Sequence, residues 1–262
     1  MIDVIIPAYN CEATLSRTLA SLVAQTDKDF LVTVVDDCST QDIKPIVEKY
    51  RNELNIRYIR NAENQGCGMS RQAGIDNTEN DFFCFVDSDD MLMPYAVETF
   101  NSIIKANPEM EYIHSYFYEQ TVIDGNPALI LHKDGFTWCH GKLYNRRLIN
   151  RYGIKNSPLV RWADDSFFNS MCSELMETQL VSLPLYLWCN NANSVIRRKD
   201  PERDKAVRED FLNAMKMSAE FVLQYKSQIE HLDKTIDRIN KQGILNADEQ
   251  QIMDALVQHI KE

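Results

Sequence analysis

The sequence predicts an α/β fold built on a single Rossmann-like, mostly parallel central sheet that is flanked by helices. The first indication is an uninterrupted apolar run, Phe82–Val86, which has the pattern of a strand buried on both faces. The second is the regular alternation of such runs with amphipathic helices. The third is that polar residues directly follow several runs, at the strand ends where open α/β sheets bind their ligands.

Four strand–helix units account for the first part of the chain. Each has a short apolar strand, a polar loop and a helix whose apolar residues recur every three or four positions. The predicted strands are Ile2–Ile6, Phe30–Val35, Ile56–Ile59 and Phe82–Val86. The predicted helices run from about Glu12 to Gln25, from Ile43 to Arg51, and from Gly66 through Arg71. This order implies a parallel, doubly wound sheet.

The rest of the chain predicts more strands and a helical tail. Pro94 starts a helix that ends at Asn107–Pro108. Strands over 112–118 and 121–123, before a turn at Asp124–Pro127, predict a small second sheet. A helix over 164–176 and short strands over 180–188 follow. From Pro201 onward the chain is helical and charged, and such a tail packs on its own domain or forms a homodimer through its helices.

Acidic residues at the end of the Phe82–Val86 strand are the first candidates for chemistry. Asp87-Ser88-Asp89-Asp90 follows the strand directly. Asp87 and Asp89 lie two residues apart in a turn and can bring both carboxylates to one ion, and hard oxygen ligands suit Mg²⁺ or Mn²⁺ bridged to phosphates. The alternative is an acidic turn in which Asp87 or Ser88 caps the next helix.

Composition limits the class of protein. The 262 residues suffice for one sizeable α/β domain with appendages, and the net charge of −11 does not favour nucleic acid or anionic lipid as a general partner. No apolar run of about 18 residues is present, which leads us to expect a cytoplasmic protein. Seven cysteines without a C-x-x-C pair fit reduced thiols. Cys139-His140 lacks the second pair that a zinc site needs.

Several segments resemble, in order, the motifs of the inverting family 2 glycosyltransferases, which have the GT-A fold. The segments are Ile5–Asn10, Val35–Thr40, Asn64-x-Gly66 with Arg71, and Phe85–Asp90. The resemblance continues through the 138–152 segment, which contains Lys142-Leu143-Tyr144, and through 162–168. It covers residues 1–199, a nucleotide-binding half (1–106) and an acceptor-binding half (107–199). Residues 200–262 remain as a helical C-terminal extension.

The resemblance implies a nucleotide-sugar donor, with UDP as the expected nucleotide, and Mn²⁺ or Mg²⁺ as cofactor. Asp89 is expected to bind the metal, Asp87 the metal or the ribose, and Asp37 the base edge. Asp36 lies at the same strand end and could equally be a helix-capping or loop-holding residue. For Arg71 the alternatives are the base or a phosphate, and a structural salt bridge. The expected donor-binding residues are Pro7, Ala8, Tyr9, Asp37, Asn64, Gly66, Arg71, Asp87, Ser88, Arg197 and Arg198.

Asp164 and Asp165 occupy the place of the family's catalytic Glu-Asp pair. Displacement at the anomeric carbon needs a base that takes the proton of the acceptor hydroxyl. By resemblance Asp165 matches the second position and is the expected base, and Asp164 replaces the more usual Glu. The alternative is that both simply cap the following helix.

The acceptor side is basic. Between Phe136 and Ala163 there is no Asp or Glu, and the cations there are Lys142, Arg146, Arg147, Arg151, Lys155 and Arg161. By resemblance this basic island faces an anionic acceptor or a membrane surface. A solvated helix face is the alternative. The expected acceptor-binding residues are Trp138, Lys142, Arg146 and Trp162, with the tryptophans as platforms for a sugar ring or as core.

Together these features predict a metal-dependent inverting glycosyltransferase. Its acceptor is expected to be a hydroxyl of a lipid-linked or cell-surface glycan precursor, with peripheral contact at the inner face of the membrane. A transferase that acts on hydroxylated bases in DNA is an alternative because of the basic island. A non-catalytic nucleotide-sugar-binding protein is another, but it would not require Asp89 and Asp165 together.

Overall fold

The computed structural model describes residues 1–133, 135, 137–191 and 201–242, the last twelve of these as the course of a helix. In the first part of the chain, four strands lie side by side and parallel: β1 (Ile2–Ala8), β2 (Phe30–Asp36), β3 (Ile56–Arg60) and β4 (Phe82–Phe85). All seven residues of β1 are buried, as expected of an apolar strand covered on both faces. The predicted parallel, doubly wound half of the sheet is therefore confirmed.

Of the helices between these strands, the first two are shorter than predicted, and the third carries Arg71 as expected. They are α1 (Leu15–Val23), α2 (Lys44–Glu48) and α3 (Cys67–Asp76). The apolar stripe of α1 packs on the sheet through Leu15, Leu19 and Leu22, which are fully buried. Gly66 precedes α3 with a φ of 90°, a conformation that an L side chain rarely adopts.

The remaining strands extend the same sheet. The later elements are β5 (Met91–Leu92), α4 (Ala96–Ala106), β6 (Tyr112–Ile123), β7 (Asn126–His132), β8 (Lys142–Asn145), α5 (Arg146–Tyr152), α6 (Asp164–Leu175), β9 (Thr178–Trp188) and α7 (Pro201–Gln242). Within the described residues the sheet has nine strands in the order β3-β2-β1-β4-β8-β6-β9-β5, with β7 paired to β6. The expected small second sheet is thus continuous with the main one, because β8 pairs antiparallel with both β4 and β6.

Strands β6 and β7 form a long hairpin. Asp124 and Gly125 have φ angles of 51° and 79°, a left-handed turn that matches the twist of the paired strands, at the predicted turn. The hairpin exposes apolar side chains to water, namely Val122, Ile123, Leu129, Ile130 and Leu131. Strand β7 pairs with β6 alone among the described strands.

An aromatic layer seats α6 on the centre of the sheet. Phe83 and Tyr144 stack with ring centroids 5.0 Å apart, and Phe85 meets Phe168 of α6 edge-on at 6.0 Å. The amide oxygen of Asn169 accepts hydrogen bonds from the hydroxyls of Tyr144 at 2.7 Å and Tyr112 at 3.1 Å. These contacts fix the helix that begins with Asp164 and Asp165.

The chain divides into two compact units, Met1–Ala219 and Glu220–Glu262. The first contains the whole sheet and the start of α7, and the second is helical as far as Gln242. The division at residues 199/200 and the homodimer stay predictions. In the described part of the chain, no helix combines the length and the apolar character that crossing a bilayer requires.

Candidate active site

Several of the predicted donor-binding residues lie at the carboxyl edge of the parallel strands. Ala8 and Asp36 are register partners at the ends of β1 and β2, and Asp87 lies just beyond the end of β4. Pro7 and Ala8 are buried within β1, whereas Tyr9 is 47% exposed. This edge is where open α/β sheets bind their ligands.

Asp36 and Asp37 hold the loops of this edge. The fully buried Asp36 accepts hydrogen bonds from Ser39 N at 2.8 Å and Tyr58 Oη at 2.6 Å and pairs with Arg60. It therefore has the loop-holding role that was one alternative. Asp37 accepts from Gln65 N at 3.0 Å and Gly66 N at 2.8 Å, so it fixes the loop that follows the exposed Asn64. Its direct contact with a base stays a prediction.

Arg71 is buried and links three segments of the site. Its guanidinium donates to Asp87 Oδ1 at 2.6 Å, to Cys139 Sγ at 3.3 Å and to Asp164 Oδ2. Its side chain is only 6% exposed. The structure therefore shows the salt-bridge alternative, in which Arg71 connects the end of β4 to the start of α6.

The two carboxylates at the start of α6 have different surroundings. Asp164 is buried and its charge is compensated by Arg71, although burial and the nearby Asp87 raise its pKa. Asp165 is half-buried, and its Oδ1 accepts from Ser166 N at 2.7 Å. Burial has the largest effect on the pKa of Asp165, and repulsion from Asp164 adds to it. Together they raise this pKa to about 7, although the charge of Arg71 acts in the opposite direction. A carboxylate with such a pKa can take up a proton near neutral pH, and the role of Asp165 as the base stays a prediction.

The acidic turn after β4 contains one structural carboxylate and two candidate ligands. Asp90 is buried and accepts from Tyr186 Oη at 2.7 Å and Cys189 N at 2.8 Å. Asp89 is half-buried, accepts from Asn191 Nδ2 at 2.9 Å, and has a pKa that burial and the nearby Asp87 raise. Asp87 and Asp89 are the kind of hard oxygen ligand that Mn²⁺ or Mg²⁺ prefers, and their binding of a metal stays a prediction.

Asp87, Cys139 and His140 also cluster, with their potential ligand atoms within 4.8 Å of one another. Burial raises the pKa of the Cys139 thiol well above its usual value and lowers the pKa of His140 to about 4, so both are neutral at pH 7. Arg71 donates to both Asp87 and Cys139 and places a positive charge beside them. These contacts favour a hydrogen-bonded cluster over a zinc site, in agreement with the sequence.

The acceptor-side predictions need one correction. Lys142 cannot contact an acceptor, because it is fully buried in β8 between His114 Nδ1 and the carbonyl of Gly135, 3.1 Å from its Nζ. The error arises because Lys142 was interpreted with the neighbouring basic residues as one surface, although β8 is buried. Arg146, at the start of α5, donates to the carbonyls of Asn80 at 2.7 Å and Glu79 at 3.2 Å, and its contact with an acceptor stays a prediction.

The other basic-island residues also have separate local contacts. Arg147 pairs with Asp81 at 3.3 Å, and the Arg161 guanidinium lies 5.4 Å from the centroid of the Trp162 ring. Trp162 is 37% exposed. The basic island is therefore not one continuous cationic face.

Trp138 belongs to an aromatic cluster beside the site. Its ring centroid lies 5.9 Å from that of Trp188 and 6.0 Å from that of His140, and it is only partly buried. Its contact with an acceptor sugar stays a prediction. Arg197 and Arg198 lie outside the described residues.

Sequence reasoning missed some residues that build the site. Gly68 allows α3 to approach α6, since a Cβ there would lie 2.7 Å from Cβ of Asp164. Asp210 of α7 accepts hydrogen bonds from the backbone just before α6. A single glycine in an unremarkable helix and one acid in a charged tail carry no local signal of these roles.

Comparisons with known proteins identify the family and the fold of the chain. The family model described as Glycosyl transferase family 2 matches residues 3–157. Over 93 residues, 34% of this chain and 16% of the relative, the sequence is 44% identical to the poly(ribitol-phosphate) beta-N-acetylglucosaminyltransferase TarS of Staphylococcus aureus. The crystal structure of S. aureus TarS in complex with UDP-GlcNAc matches with a TM-score of 0.68 and 24% identity, over 85% of this chain and 66% of that chain.

A more distant solved structure matches nearly the whole chain. The mannosyltransferase PcManGT from Pyrobaculum calidifontis, in complex with GDP-Man and Mn²⁺, has a TM-score of 0.56 and 12% identity, over 99% of this chain and 84% of that chain. Both structural likenesses show the expected GT-A-like fold. The chain spans 38% and 16% of the length of the first curated relatives it matches. Because the family model covers more than half of the residues, the chain belongs to glycosyl transferase family 2.

Proposed function

We propose that the protein is a metal-dependent inverting glycosyltransferase that moves a sugar from a UDP-sugar to a hydroxyl of a lipid-linked or cell-surface glycan precursor. The observation that carries this proposal is Asp165, a half-buried carboxylate whose pKa is raised to about 7. It lies beside Asp164, which Arg71 connects to Asp87 at the end of β4. The buried guanidinium of Arg71 thus connects the donor-binding edge to the segment that carries the proposed base.

The chemistry follows from these positions. The carboxylate of Asp165 takes the proton of the acceptor hydroxyl as its oxygen attacks the anomeric carbon. The bond between that carbon and the diphosphate oxygen breaks, and UDP leaves with the electron pair. Attack from the face opposite the leaving group inverts the anomeric configuration. Asp165 then holds the proton until water removes it, and a pKa near 7 suits both steps.

Asp89 and Asp87 would hold the divalent cation. When bound, the cation supplies positive charge against the diphosphate. The protein contributes carboxylates that repel each other, since the negative charge of Asp87 raises the pKa of Asp89. A cation held by both would relieve this repulsion. The Mn²⁺ in the PcManGT complex supports a divalent cation as the cofactor.

The relatives and the corrected contacts support the choice of substrates. TarS is described as a poly(ribitol-phosphate) transferase, and its crystal structure holds UDP-GlcNAc. By analogy with TarS, a UDP-sugar is the proposed donor and a cell-surface glycan precursor the proposed acceptor. The burial of Lys142 removes one of the cations that suggested DNA. A non-catalytic binding protein has no need for a base tuned to neutral pH.

A thermal-shift screen tests the proposal. UDP-sugars, GDP-sugars and free UDP are each added with Mn²⁺ or with EDTA, and a ligand that binds the folded state raises Tm by mass action. We expect the largest rise with UDP-sugars and Mn²⁺. Proton NMR of the product with a sugar-alcohol phosphate acceptor then reports the anomeric configuration. No shift with any nucleotide sugar, or a product that keeps the donor configuration, would contradict the proposal.

A further inference from the structure

Helix α6 begins without a capping side chain of its own. Its N-cap residue is Ala163, which has no side-chain oxygen, and the first backbone N–H groups of a helix need acceptors from elsewhere. Asp165 Oδ1 accepts from Ser166 N within the first turn. The amides just before the helix need another partner, and they precede the two candidate catalytic carboxylates directly.

That partner comes from α7. The carboxylate of Asp210 accepts from Trp162 N at 2.7 Å and from Arg161 N and Ala163 N at 3.0 Å each. Three consecutive backbone amides therefore converge on one side chain from 47 to 49 residues further along the chain. A carboxylate at a helix N-terminus also interacts favourably with the helix dipole. Asp210 lies in the same compact unit as the sheet.

We propose that Asp210 is a positioning residue for the catalytic base, holding the 161–163 turn so that the first turn of α6 presents Asp165 to the acceptor. This inference rests on the proposed function. Asp164 is held by its ion pair with Arg71, and Gly68 lets α3 approach it closely. Asp210, in α7, holds the preceding turn through hydrogen bonds to its backbone amides. The start of α7, which lies beyond the residues matched by the family model, is then part of the catalytic apparatus.

The position of a base has a large effect on rate and little effect on donor binding. A displacement of about 1 Å in a catalytic group can cost about 100-fold in turnover. Asp210 holds the backbone before the base, whereas the donor-binding candidates at 87–89 lie on another segment. Loss of Asp210 should therefore change kcat and leave donor affinity unchanged. A purely structural residue would lower both through loss of folded protein.

The test compares Asp210→Ala, Asp210→Asn and the control Glu209→Ala. Glu209 is exposed in the same helix and pairs only loosely with Lys205, at 3.8 Å. We expect Asp210→Ala to lower kcat by roughly 10- to 100-fold with donor Kd unchanged by calorimetry. Asp210→Asn keeps one acceptor oxygen and should recover part of the rate. Amide exchange should become faster over 158–168 in Asp210→Ala alone.

The outcomes separate this inference from the proposed function. Wild-type kcat in Asp210→Ala, together with an inactive Asp165→Asn, would overturn the inference alone. Equal loss of kcat and donor affinity in both Asp210 variants would also overturn it, since that is a structural effect. Full activity of Asp165→Asn would overturn the proposed function and this inference with it. If Asp210→Ala does not fold, Asp210→Asn is measured in the same assays and decides the matter by the same criteria.

Discussion

Arg71 in α3 and Asp164 in α6 form an ion pair that is buried from solvent, although 93 residues separate them in the sequence. The same guanidinium contacts Asp87, so one cation joins the predicted donor edge to the start of the helix that carries the proposed base. Asp164 and Asp165 are neighbours in sequence but have different surroundings. Asp164 compensates a buried charge, and Asp165 is the residue proposed for proton transfer.

Asp165→Asn and Asp164→Asn should therefore have different effects. Asp165→Asn should lower kcat by about 10²–10⁴-fold, as expected for loss of a general base, with unchanged donor affinity. Asp164→Asn should lower Tm by about 6–12 °C, because breaking a buried ion pair costs about 3 kcal/mol and each kcal/mol shifts Tm by about 2–4 °C in a domain of this size. Stopped assays and calorimetric scans measure both. An inactive Asp164→Asn beside a fully active Asp165→Asn would reverse the assignment.

The pH dependence of activity should report Asp165. Because its folded-state pKa is raised to about 7, kcat should rise with pH through neutrality as the carboxylate forms. The stability effect has the opposite sign. An aspartate in the unfolded chain has its ordinary pKa of 3.8, so between pH 3.8 and about 7 the folded state holds a proton that the unfolded state has lost. The contribution of Asp165 to stability therefore falls as pH rises through this window.

Asp165→Asn serves as the control for that profile, since Asn has no proton to lose. Its free energy of unfolding should exceed that of the wild type at pH 8, and the difference should shrink toward pH 4. Urea unfolding at several pH values measures this. A kcat profile that is flat from pH 5 to 9 would contradict the assignment of Asp165 as base.

Asp89→Ala should abolish metal-dependent donor binding while the protein stays folded. Asp89 is half-buried and its main side-chain contact is Asn191, so truncation removes a candidate ligand without opening the core. Isothermal calorimetry with UDP-sugar and Mn²⁺ should show no heat of binding. Glu63→Ala removes an exposed carboxylate from the loop before Gly66 and is the matched control. Identical donor affinity in wild type and Asp89→Ala would remove the metal assignment.

Lys142→Met tests the correction made to the acceptor site. Because Lys142 is fully buried, its replacement should leave the acceptor KM and the salt dependence of activity unchanged. Burial lowers the pKa of Lys142 from 10.5 to about 7. Between these pH values the unfolded state binds a proton that the folded state has lost. The contribution of Lys142 to stability therefore rises with pH through this window. The Met variant should lose this rise in urea unfolding. Lys133→Met, which replaces an exposed lysine, is the control. A raised acceptor KM in Lys142→Met alone would restore the prediction that Lys142 contacts the acceptor.

The sequence predicted the parts of the fold that depend on local pattern. Strands such as β1 and β4 are continuous apolar runs, and their burial follows from that pattern alone. Asp87 and Asp89 were placed correctly at a strand end because parallel strands end at one edge. Strand β8 was not predicted, since its four residues include a lysine and its pairing depends on β4 and β6.

The roles of charged residues were harder to predict, because they depend on partners distant in sequence. Arg71 and Asp164 have no local feature that marks them as a buried pair. The position of Asp210 is invisible in the sequence, since its partners are backbone amides. Lys142 resembled a surface cation because sequence patterns record charge and not burial.

The hairpin of β6 and β7 presents a surface through which copies of this protein can associate in solution. Its outer strand presents Leu129, Ile130 and Leu131 to water beside a backbone edge that no other described strand covers, which is a template for unwanted strand addition. The net charge of −11 at pH 7 opposes such contacts, but the sequence pI is about 5.0. Mild acid therefore removes colloidal repulsion over the same pH range that protonates Asp165. Loss of activity in acid should be reversible in dilute solution and should become permanent precipitation in concentrated stocks.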